Sequence, residues 1–467
     1  MAKEMREKAK EIAEELRKKD NFAVIHHYDA DGIAAGAIAC KMLQGEGKEV
    51  KAKAVKQLYN ETIEEIRGLG ETYVFVDFGS GQMRLLQKEF GKNFFVMDHH
   101  QQEETGERHE FELNPYQFGV NGGTEISGAG TTYFVARELN KKNRKLSALA
   151  VVGAVGDMQD FRGKLEGVNA EIVNEAVEEG VMEKKIDLRL YGRISRPLAQ
   201  FLEFSSNPII PGLTANEENC KKFLSQAGIG VKEESEGGRW RSYEDLSAAE
   251  KKKLSSALIE YMYLQNVKEW KIREMIGEIY TLIGEERKSP LRDAKETATL
   301  FNSCGRHGMA EVALAVAMGD RQEKYSQALG LLVEHRKQLR EGIQLIKGKG
   351  VEEFESFYFF DAGKEVKDSI VGIIAGMLYD GEFIQPNKPV IAMARHSDGT
   401  VKVSARATSE LVRNGLNLGK ILKEACEEIG DESEGGGHKI AAGCKIKEKN
   451  RERFLEVLGE KIKSSRL

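Results

Sequence analysis

The first third of the chain alternates between short apolar runs and amphipathic stretches. Residues 1–19 are expected to form a helix with one apolar stripe, which consists of Met5, Ala9, Ile12, Ala13 and Leu16. After it, helices are expected near residues 34–43, 82–90 and 131–139, strands near 73–76 and 94–97, and a strand or buried helix near 148–155. Such alternation predicts right-handed crossovers and an α/β domain with a mostly parallel sheet.

The pattern changes twice farther along the chain. From about residue 190 to 350, long charged helical stretches predict a helical insert or connector. From about residue 352 strands return in FYFF, VIAMAR, TVKVSAR and AAGCKI, which predict a smaller α/β domain. We therefore expect three parts, which cover residues 1–190, 191–350 and 351–467.

Length and composition exclude several classes of protein. The 467 residues suffice for two or three domains with cores of their own. No apolar run approaches the roughly 20 residues needed to cross a bilayer, and the charged start MAKEMREKAKEIAEELRKKD is unlike a secretory signal. Five cysteines without CxxC spacing indicate neither a zinc knuckle nor a disulfide framework. We expect a globular cytoplasmic protein with no membrane partner.

Acidic residues stop four of the apolar runs. In AVIHHYDADG, YVFVDFG, FFVMDHH and AVVGAVGD, each run predicts a short buried strand that ends at an aspartate. Because ligands bind at the carboxyl ends of parallel strands, one mouth of the sheet is expected to collect Asp29, Asp31, Asp77, Asp98, His99, His100 and Asp157. Crowded aspartates repel one another unless a cation neutralises them, and carboxylates with imidazoles suit Mn, Fe or Zn better than Ca. The pattern predicts a two-metal hydrolytic centre.

Each segment alone also has a structural explanation. Asp29 and Asp31, with His27 of the same parity, share one face of an extended segment, but an aspartate there also caps a helix. Asp77 fits a bridging ligand and equally a turn after a strand, and Asp157 fits a ligand and equally a helix cap. The adjacent imidazoles of VMDHH have few structural explanations. The four segments support the metal centre jointly.

The order and spacing of these segments resemble a known family. DADG, VDFG, VMDHH and VGD resemble the four motifs of the DHH phosphoesterase superfamily, which includes RecJ nucleases, oligoribonucleases, cyclic-dinucleotide phosphodiesterases and family II pyrophosphatases. KVSARAT and GGGHKIAAG resemble the DHH-associated domain, which binds substrate in the nuclease and phosphodiesterase branches. YGRISRPL, IIPGLT and LRDAKETATLFNSCGRHG resemble the archaeal RecJ-like proteins, among them the GINS-associated nuclease.

The resemblance implies a set of metal ligands. Asp77 is implied to bridge two divalent ions and Asp29 to bind one of them, whereas the other ion is implied to be bound by Asp31, His99 and Asp157. Mn²⁺ is the first choice of ion and Mg²⁺ the second. A shared water between two such ions is acidic enough to act as the nucleophile near neutral pH.

Other residues near these ligands receive roles from the same resemblance. Asp98 and His100 are implied to be catalytic groups that support the ligands or face the phosphate. Pyrophosphatase-type members have a histidine four residues before the first aspartate, where this chain has Ile25. The first metal site is therefore expected either to be weaker or to recruit His26 or His27, and a pyrophosphatase is disfavoured.

A second group of candidate residues lies near the C-terminus. Gly435, Gly436 and Gly437 offer unhindered backbone amides, and His438 could donate to the same phosphate. A loop between a helix and a strand explains the glycines equally well from the sequence alone. Arg406, in KVSARAT, is expected to contact phosphate from a strand.

These features together favour an enzyme that acts on nucleic acid. We expect a metal-dependent exonuclease that hydrolyses phosphodiester bonds at the end of single-stranded DNA or RNA, in replication or repair, with GINS as a possible partner. The net charge of −5 argues against a uniformly positive surface but permits a local basic groove. Within the insert, Arg292, Arg306 and His307 fit a path for a strand and equally solvated helix faces.

Two alternative functions remain open. The nearer is a phosphodiesterase of short oligoribonucleotides or cyclic dinucleotides, although this chain is longer than that activity needs. The other is a non-catalytic replication scaffold, because one eukaryotic helicase cofactor descends from this family without its metal ligands. The presence of those ligands here favours an enzyme.

Overall fold

The apolar runs of the N-terminal region form a parallel sheet, as their pattern predicted. In the computed structural model, residues 2–102, 109–205, 208–233, 238–380, 383–396, 398–430 and 434–465 are described. The sheet has the order β2-β1-β3-β4-β5, and every neighbouring pair is parallel. Its strands are β1 (Asn21–His27), β2 (Glu49–Val55), β3 (Thr72–Val76), β4 (Phe94–Met97) and β5 (Glu112–Leu113).

Helices connect these strands and bury both faces of the sheet. Val24 and Val74 belong to the apolar core on one face, whereas Ile25 and Phe75 belong to the core on the other, which is typical of parallel sheets. The predicted stripe of the first helix is completely buried. The helices are α1 (Ala2–Arg17), α2 (Ala30–Gly45), α3 (Asn60–Ile66), α4 (Met83–Phe90), α5 (Gly128–Leu139), α6 (Ser147–Gly156) and α7 (Gly167–Glu178).

The middle region is mainly helical, also as predicted. It starts and ends at an antiparallel pair of strands, β6 (Met182–Leu188) and β7 (Ile276–Leu282). Between them a separate core includes Phe201 and Tyr243, and after β7 the chain returns to the N-terminal core through Phe301. The helices are α8 (Leu198–Glu203), α9 (Glu217–Gln226), α10 (Ala248–Leu264), α11 (Glu269–Glu274), α12 (Ala294–Arg306), α13 (Ala310–Met318) and α14 (Glu323–Lys349).

Strand β7 also contacts the segment that follows α6. The backbone N–H of Glu278 donates to the carbonyl oxygen of Gly163 at 2.7 Å. A Cβ on Gly277 would lie 2.2 Å from that same oxygen, so the close approach requires glycine. Arg189 donates to the carbonyl oxygen of Asp160 at 2.7 Å and also forms an ion pair with the Asp160 carboxylate. The segment 157–163 is therefore fixed to the β6–β7 pair.

The C-terminal region forms a six-stranded mixed sheet with the order β12-β13-β11-β10-β9-β8. Only β9 and β10 are parallel among these pairs. The strands are β8 (Glu352–Glu353), β9 (Tyr358–Asp361), β10 (Val390–Arg395), β11 (Thr400–Arg406), β12 (Glu434–Gly437) and β13 (Ala441–Lys447). The helices are α15 (Asp368–Asp380), α16 (Ser409–Arg413), α17 (Leu418–Ile429) and α18 (Arg451–Ser464).

The structure decides between alternatives that the sequence left open at two places. The run AVVGAVGD is a buried helix, α6, rather than a strand, because an apolar run of this length has no periodicity that separates the two. The glycine run is not a loop: Gly435 to Gly437 belong to β12, an edge strand that pairs with β13.

The chain is divided into two compact units, Met1–Leu332 and Val333–Leu467. The predicted boundaries at 190/191 and 350/351 stay predictions. None of the helices in the described part of the chain has the length and apolar character that a transmembrane span requires.

Candidate metal centre

The predicted acidic residues meet at one edge of the N-terminal sheet. Asp29 follows β1 and caps α2, since its Oδ1 accepts a hydrogen bond from the N–H of Gly32 at 3.0 Å. Asp77 follows β3, and Asp98 follows β4. Asp157 arrives from a different direction, because it is the C-cap of α6. The site at the carboxyl ends of the strands therefore also includes the C-terminal end of a helix.

Asp77 lies at the middle of this arrangement. Its backbone has φ of 67°, a conformation that non-glycine residues rarely adopt, and its N–H donates to the carbonyl oxygen of Met97 at 2.9 Å. Its carboxylate is buried. Oδ2 lies 3.5 Å from Nδ1 of His27, and Oδ1 lies 3.2 Å from Nε2 of His99. The two oxygens thus face two different ligand groups.

The first ligand group contains His27, Asp29 and Asp77, whose ligand-type atoms lie within 4.8 Å of one another. Nδ1 of His27 is 3.0 Å from Oδ2 of Asp29. His26 is fully buried, with its Nδ1 2.8 Å from the carbonyl oxygen of His27, and burial lowers the pKa of His26 to about 4. Either His26 or His27 was expected to supply the imidazole that is missing where the chain has Ile25. The structure places His27 in the first ligand group and His26 in the core.

The second ligand group contains Asp31, His99 and Asp157, again with ligand-type atoms within 4.8 Å. Asp31 accepts hydrogen bonds from the N–H groups of Gly128 at 2.7 Å and Ala129 at 2.9 Å, at the N-terminus of α5. Unpaired N–H groups at a helix start favour a carboxylate. Asp31 is therefore held in place by backbone donors.

Backbone contacts also orient His99. Its Nδ1 lies 2.6 Å from the carbonyl oxygen of Gly122, which can only accept, so Nδ1 carries the proton. Nε2 faces Asp77 at 3.2 Å and Asp31 at 3.7 Å. A histidine ligand typically donates its other nitrogen to a carbonyl in this way.

Asp98 is fully occupied by donors of its own segment. It accepts hydrogen bonds from the N–H of Ser80 at 3.0 Å and of His99 at 2.7 Å. It also accepts from the N–H of His100 at 3.1 Å and lies 2.8 Å from Nδ1 of His100. His100 in turn forms a further group of ligand-type atoms with Asp77 and His99. The geometry thus makes Asp98 a support for His100.

Charge in the centre is unbalanced without a cation. Burial raises the pKa of Asp31 well above its usual value, and Asp77 adds to this shift. Burial likewise raises the pKa of Asp157 to about 6, with attraction to His99 opposing it. Burial opposes protonation of His27 and His99, yet nearby carboxylates raise the pKa of both imidazoles.

Two buried polar atoms of the centre, Asp77 Oδ1 and His27 Nδ1, face ion-pair partners at 3.2 and 3.0 Å but form no hydrogen bond of normal geometry among the described residues. Unsatisfied buried polar atoms are rare and indicate a ligand or a functional role. Carboxylates and imidazoles are suitable ligands for Mn²⁺, Fe²⁺ and Zn²⁺. The residues present therefore fit a pair of divalent ions that share Asp77.

Three glycines that the sequence reasoning missed make the centre compact. A Cβ on Gly128 would lie 2.4 Å from Oδ1 of Asp77, and one on Gly153 would lie 2.3 Å from Oδ1 of Asp31. A Cβ on Gly122 would lie 2.0 Å from the carbonyl oxygen of His99. In the sequence, the glycines of the segments NGGTEISGAG and AVVGAVGD were the feature that could have indicated these close contacts.

The end of α12 packs against the first motif. Asn302 accepts a hydrogen bond from the N–H of Ala30 at 3.0 Å. Burial lowers the pKa of the half-buried Arg306, while Tyr28 and Asp29 raise it, which places the guanidinium within electrostatic reach of the first ligand group. In the described part of the chain, Arg306 forms no hydrogen bond or ion pair.

The two other candidates of the insert contact the backbone. Arg292 donates to the carbonyl oxygens of Ile283 at 3.2 Å and Glu285 at 2.6 Å. Nδ1 of His307 lies 2.9 Å from the carbonyl oxygen of Ser303. Arg292 and His307 thus contact backbone oxygens, and Arg306 is the residue of the three that lies within electrostatic reach of the first ligand group.

The C-terminal candidates lie together at one end of the second sheet. Arg406 pairs with Ala441 across β11 and β13, and Gly437 pairs with the next residue, Ala442. Nη1 of Arg406 donates to the carbonyl oxygen of Ala405 at 2.8 Å. The N–H of His438 donates to the carbonyl oxygen of Ala441 at 2.8 Å, and its side chain is exposed.

The glycines of β12 differ in what requires them. A Cβ on Gly435 would lie 2.7 Å from the carbonyl oxygen of Leu422, and Gly437 has φ of 134°. A Cβ on Gly436 would meet nothing within 4 Å. Packing and backbone conformation therefore explain the first and third glycines, but not Gly436.

Three family models match successive parts of the chain. The DHH family, N-terminal domain, matches residues 21–156, the DHH-CID domain matches residues 190–276, and the DHHA1 domain matches residues 355–464. An uncharacterized protein of Methanocaldococcus jannaschii is 32% identical over 474 residues, which cover 99% of each chain.

Solved structures share the fold at low sequence identity. CDC45 from Entamoeba histolytica matches with a TM-score of 0.68 at 15% identity, over 98% of this chain and 99% of that one. RecJ from Thermus thermophilus, in complex with Mn²⁺, matches with a TM-score of 0.60 at 17% identity, over 98% of this chain. This chain spans only 55% of that RecJ. The matched domains show that the chain belongs to the DHH superfamily, and its fold is similar to those of RecJ and CDC45.

Proposed function

We propose that this chain is a metal-dependent exonuclease that hydrolyses phosphodiester bonds at the end of single-stranded DNA or RNA. The observation that carries the proposal is the position of Asp77, whose two carboxylate oxygens face different ligand groups. A carboxylate in that position suits a pair of ions that act on one phosphate. The DHH-family phosphoesterase fold supports the same chemistry.

The residues of the centre form two ligand groups, each of which would hold one ion. His27 and Asp29 would hold the first ion, and Asp31, His99 and Asp157 would hold the second. Asp77 belongs to the first group and lies 3.2 Å from His99 of the second, so it would serve both ions. Two bound divalent ions would acidify a water and neutralise charge on the phosphodiester. Mn²⁺ and Mg²⁺ are the proposed ions.

His100 and Arg306 would act on the substrate rather than on the ions. Burial opposes protonation of His100, but the carboxylate of Asp98 raises its pKa, which favours an imidazolium that would donate to a phosphate oxygen or a leaving oxygen. Arg306 forms no salt bridge with a described carboxylate, although Asp29 interacts with it electrostatically. A guanidinium in that state suits a phosphate oxygen beside the ions.

The second unit would contribute substrate binding. Gly436 exposes backbone without a structural need for glycine, and Arg406 and His438 lie at the same end of that sheet. Backbone N–H groups and a guanidinium are common phosphate contacts in nucleic-acid binding. We propose that Arg406 and residues 435–438 hold the nucleotide chain.

One assay tests the proposed reaction. Single-stranded DNA and RNA, each labelled at either end, are incubated with Mn²⁺ or Mg²⁺ and with the wild type or Asp77→Ala. The wild type is expected to release nucleotides from one end, and Asp77→Ala is expected to leave the strands intact. Equal digestion by both proteins would assign the activity to another site or another protein.

Two other functions are separated by the same experiment. A phosphodiesterase of short oligoribonucleotides or cyclic dinucleotides would cleave a cyclic dinucleotide and spare long strands. A non-catalytic replication scaffold, for which the fold shared with CDC45 is the supporting observation, would leave every substrate intact with Mn²⁺. The groups of ligand-type residues support an enzyme rather than a scaffold. A role in replication or repair, a cytoplasmic location and GINS as a partner belong to the proposal as well.

A further inference from the structure

A buried amide side chain lies directly behind the second ligand group. Gln159 is two residues after Asp157, and its side chain is buried. We propose that Gln159 is a positioning residue that fixes Asp157 and His99 relative to each other and so determines the affinity of the second metal site. This inference rests on the proposed metal centre but concerns residues that would not touch the ion or the substrate.

The contacts of Gln159 connect two separate motifs. Its Nε2 donates to Oδ2 of Asp157 at 2.8 Å and to the carbonyl oxygen of Gly122 at 2.8 Å. The same oxygen of Gly122 accepts the hydrogen bond of His99 Nδ1 at 2.6 Å. A carbonyl oxygen has two lone pairs and can accept both. One carbonyl oxygen and one amide therefore link the two ligands.

The orientation of the amide is fixed from its other end. Nδ2 of Asn169 donates to Oε1 of Gln159 at 2.6 Å, which leaves the NH₂ group to face Asp157. Nε2 also lies 3.2 Å from the carbonyl oxygen of Ile126, just before the start of α5 that holds Asp31. The Gln159 amide thus lies beside the backbone groups that orient His99 and Asp31.

Asp157 needs such a support more than the other two ligands of the second group do. Its side chain is 33% exposed, compared with 4% for His99 and 3% for Asp31. It lies at the end of a helix, and the next residue, Met158, has φ of 57°. In the part of the chain that the structure describes, Gln159 is the hydrogen-bond donor to this carboxylate. Partners behind metal ligands typically change affinity by about 10- to 100-fold when they are replaced.

The test measures Mn²⁺ binding to the full chain by titration calorimetry. Gln159→Met keeps the size of the side chain and removes its hydrogen bonds and no charge. We expect the second ion to bind about 10- to 100-fold more weakly, while the first ion, at His27 and Asp29, keeps its affinity within about twofold. Gln226→Met, at the end of α9 and exposed, is the matched control and should bind both ions as the wild type does.

A second variant protects the test against misfolding. Asn169→Leu removes the contact that orients the amide and should weaken the second ion by a smaller factor than Gln159→Met does. Circular dichroism and thermal unfolding of each metal-free variant show whether the fold is retained. Unchanged binding in both variants would overturn the inference, as would an equal loss at both sites in folded protein.

The outcomes separate this inference from the proposed function. A wild type that binds two ions but cleaves no phosphodiester refutes the nuclease and leaves the role of Gln159 to the binding data. A wild type that binds no Mn²⁺ refutes the metal centre and the inference together. Cleavage by the wild type with unaltered binding in the Gln159 variant refutes the inference alone.

Discussion

The metal centre of the first unit and strand β12 of the second unit hold their polar groups differently. Strand β12 (Glu434–Gly437) is called the glycine strand below. In the metal centre, buried atoms of Asp77 and His27 form no hydrogen bond of normal geometry in the described part of the protein. In the glycine strand, the backbone pairs with β13, and Arg406 donates to a backbone oxygen. Polar atoms that the protein buries without satisfying them indicate a ligand, because burial alone would be costly.

This difference determines how strongly each prediction is supported. The metal centre would be electrostatically unfavourable without a cation, so its geometry is itself evidence for one. The glycine strand is a satisfactory edge strand without any ligand, and only Gly436 lacks a structural explanation.

The largest effect is expected when ligands are removed one at a time. Asp29→Ala should lose the first Mn²⁺, Asp31→Ala the second, and Asp77→Ala both, each with a loss of affinity of more than about 100-fold, because direct ligands exceed their supports in effect. The measurement is the Mn²⁺ content after desalting. Asp20→Ala, whose side chain is 91% exposed, is the control. If Asp77→Ala retained two ions, the proposal that both ions share this carboxylate would be wrong.

A smaller effect is expected from a methyl group added beside Asp77. Gly128→Ala would place a Cβ 2.4 Å from Oδ1 of Asp77, so the carboxylate must move. We expect a loss of activity of about 100-fold, as for other displacements near 1 Å, and destabilisation of about 1–3 kcal/mol. Nuclease rates and thermal unfolding measure both. Gly45→Ala, whose Cβ would meet nothing within 4 Å, should change neither.

Mn²⁺ binding should weaken as the pH falls. Burial raises the pKa of Asp157 to about 6 in the metal-free protein, and an ion requires the ionised carboxylate, so protons compete with the metal below that pH. Affinity for the second ion should fall at least about tenfold for each pH unit below 6, because the raised pKa values of Asp31 and His99 add to the competition. Calorimetric titrations between pH 5 and 8 measure this. An affinity that is equal at pH 7 and pH 5 would be incompatible with the raised pKa.

The smallest effect is expected in the glycine strand. Gly436→Ala should leave thermal unfolding unchanged, since its Cβ meets nothing, but should raise KM for single strands by about three- to tenfold if backbone meets phosphate there. Gly435→Ala is the structural counterpart: its Cβ would clash with Leu422 and Cys426, so it should lower Tm. An unaltered KM for Gly436→Ala would indicate that this strand has a structural role and does not bind the substrate.

The sequence predicted the parts of the fold whose periodicity is distinctive. The stripe of α1 and the alternation of strands and helices are physical consequences of one buried face, and both were confirmed. The strand β2 was not predicted, because its residues EVKAKAV are mostly exposed at an edge of the sheet. The helix α6 could not be separated from a strand, because it is apolar on all sides.

The candidate site was predictable to a similar extent. The order of the acidic segments indicated which residues meet, and the structure brings Asp29, Asp31, Asp77, His99 and Asp157 together. The choice of His27 over His26 required the direction of two adjacent side chains on β1. Gln159 was invisible in the sequence, since its role depends on a carbonyl oxygen 37 residues earlier in the chain.

The attachment of segment 157–163 to the β6–β7 pair has a mechanical consequence. Gly163 is held by Glu278, and Asp160 is held by Arg189, only a few residues beyond Asp157. A force or a binding partner that shifts β7 would therefore strain the stretch of chain that carries Asp157. A fragment cut after residue 190 would keep every aspartate and histidine of the centre and the contact of Arg189 with Asp160, yet it would lose β7 and with it the hydrogen bond from Glu278 that anchors Gly163.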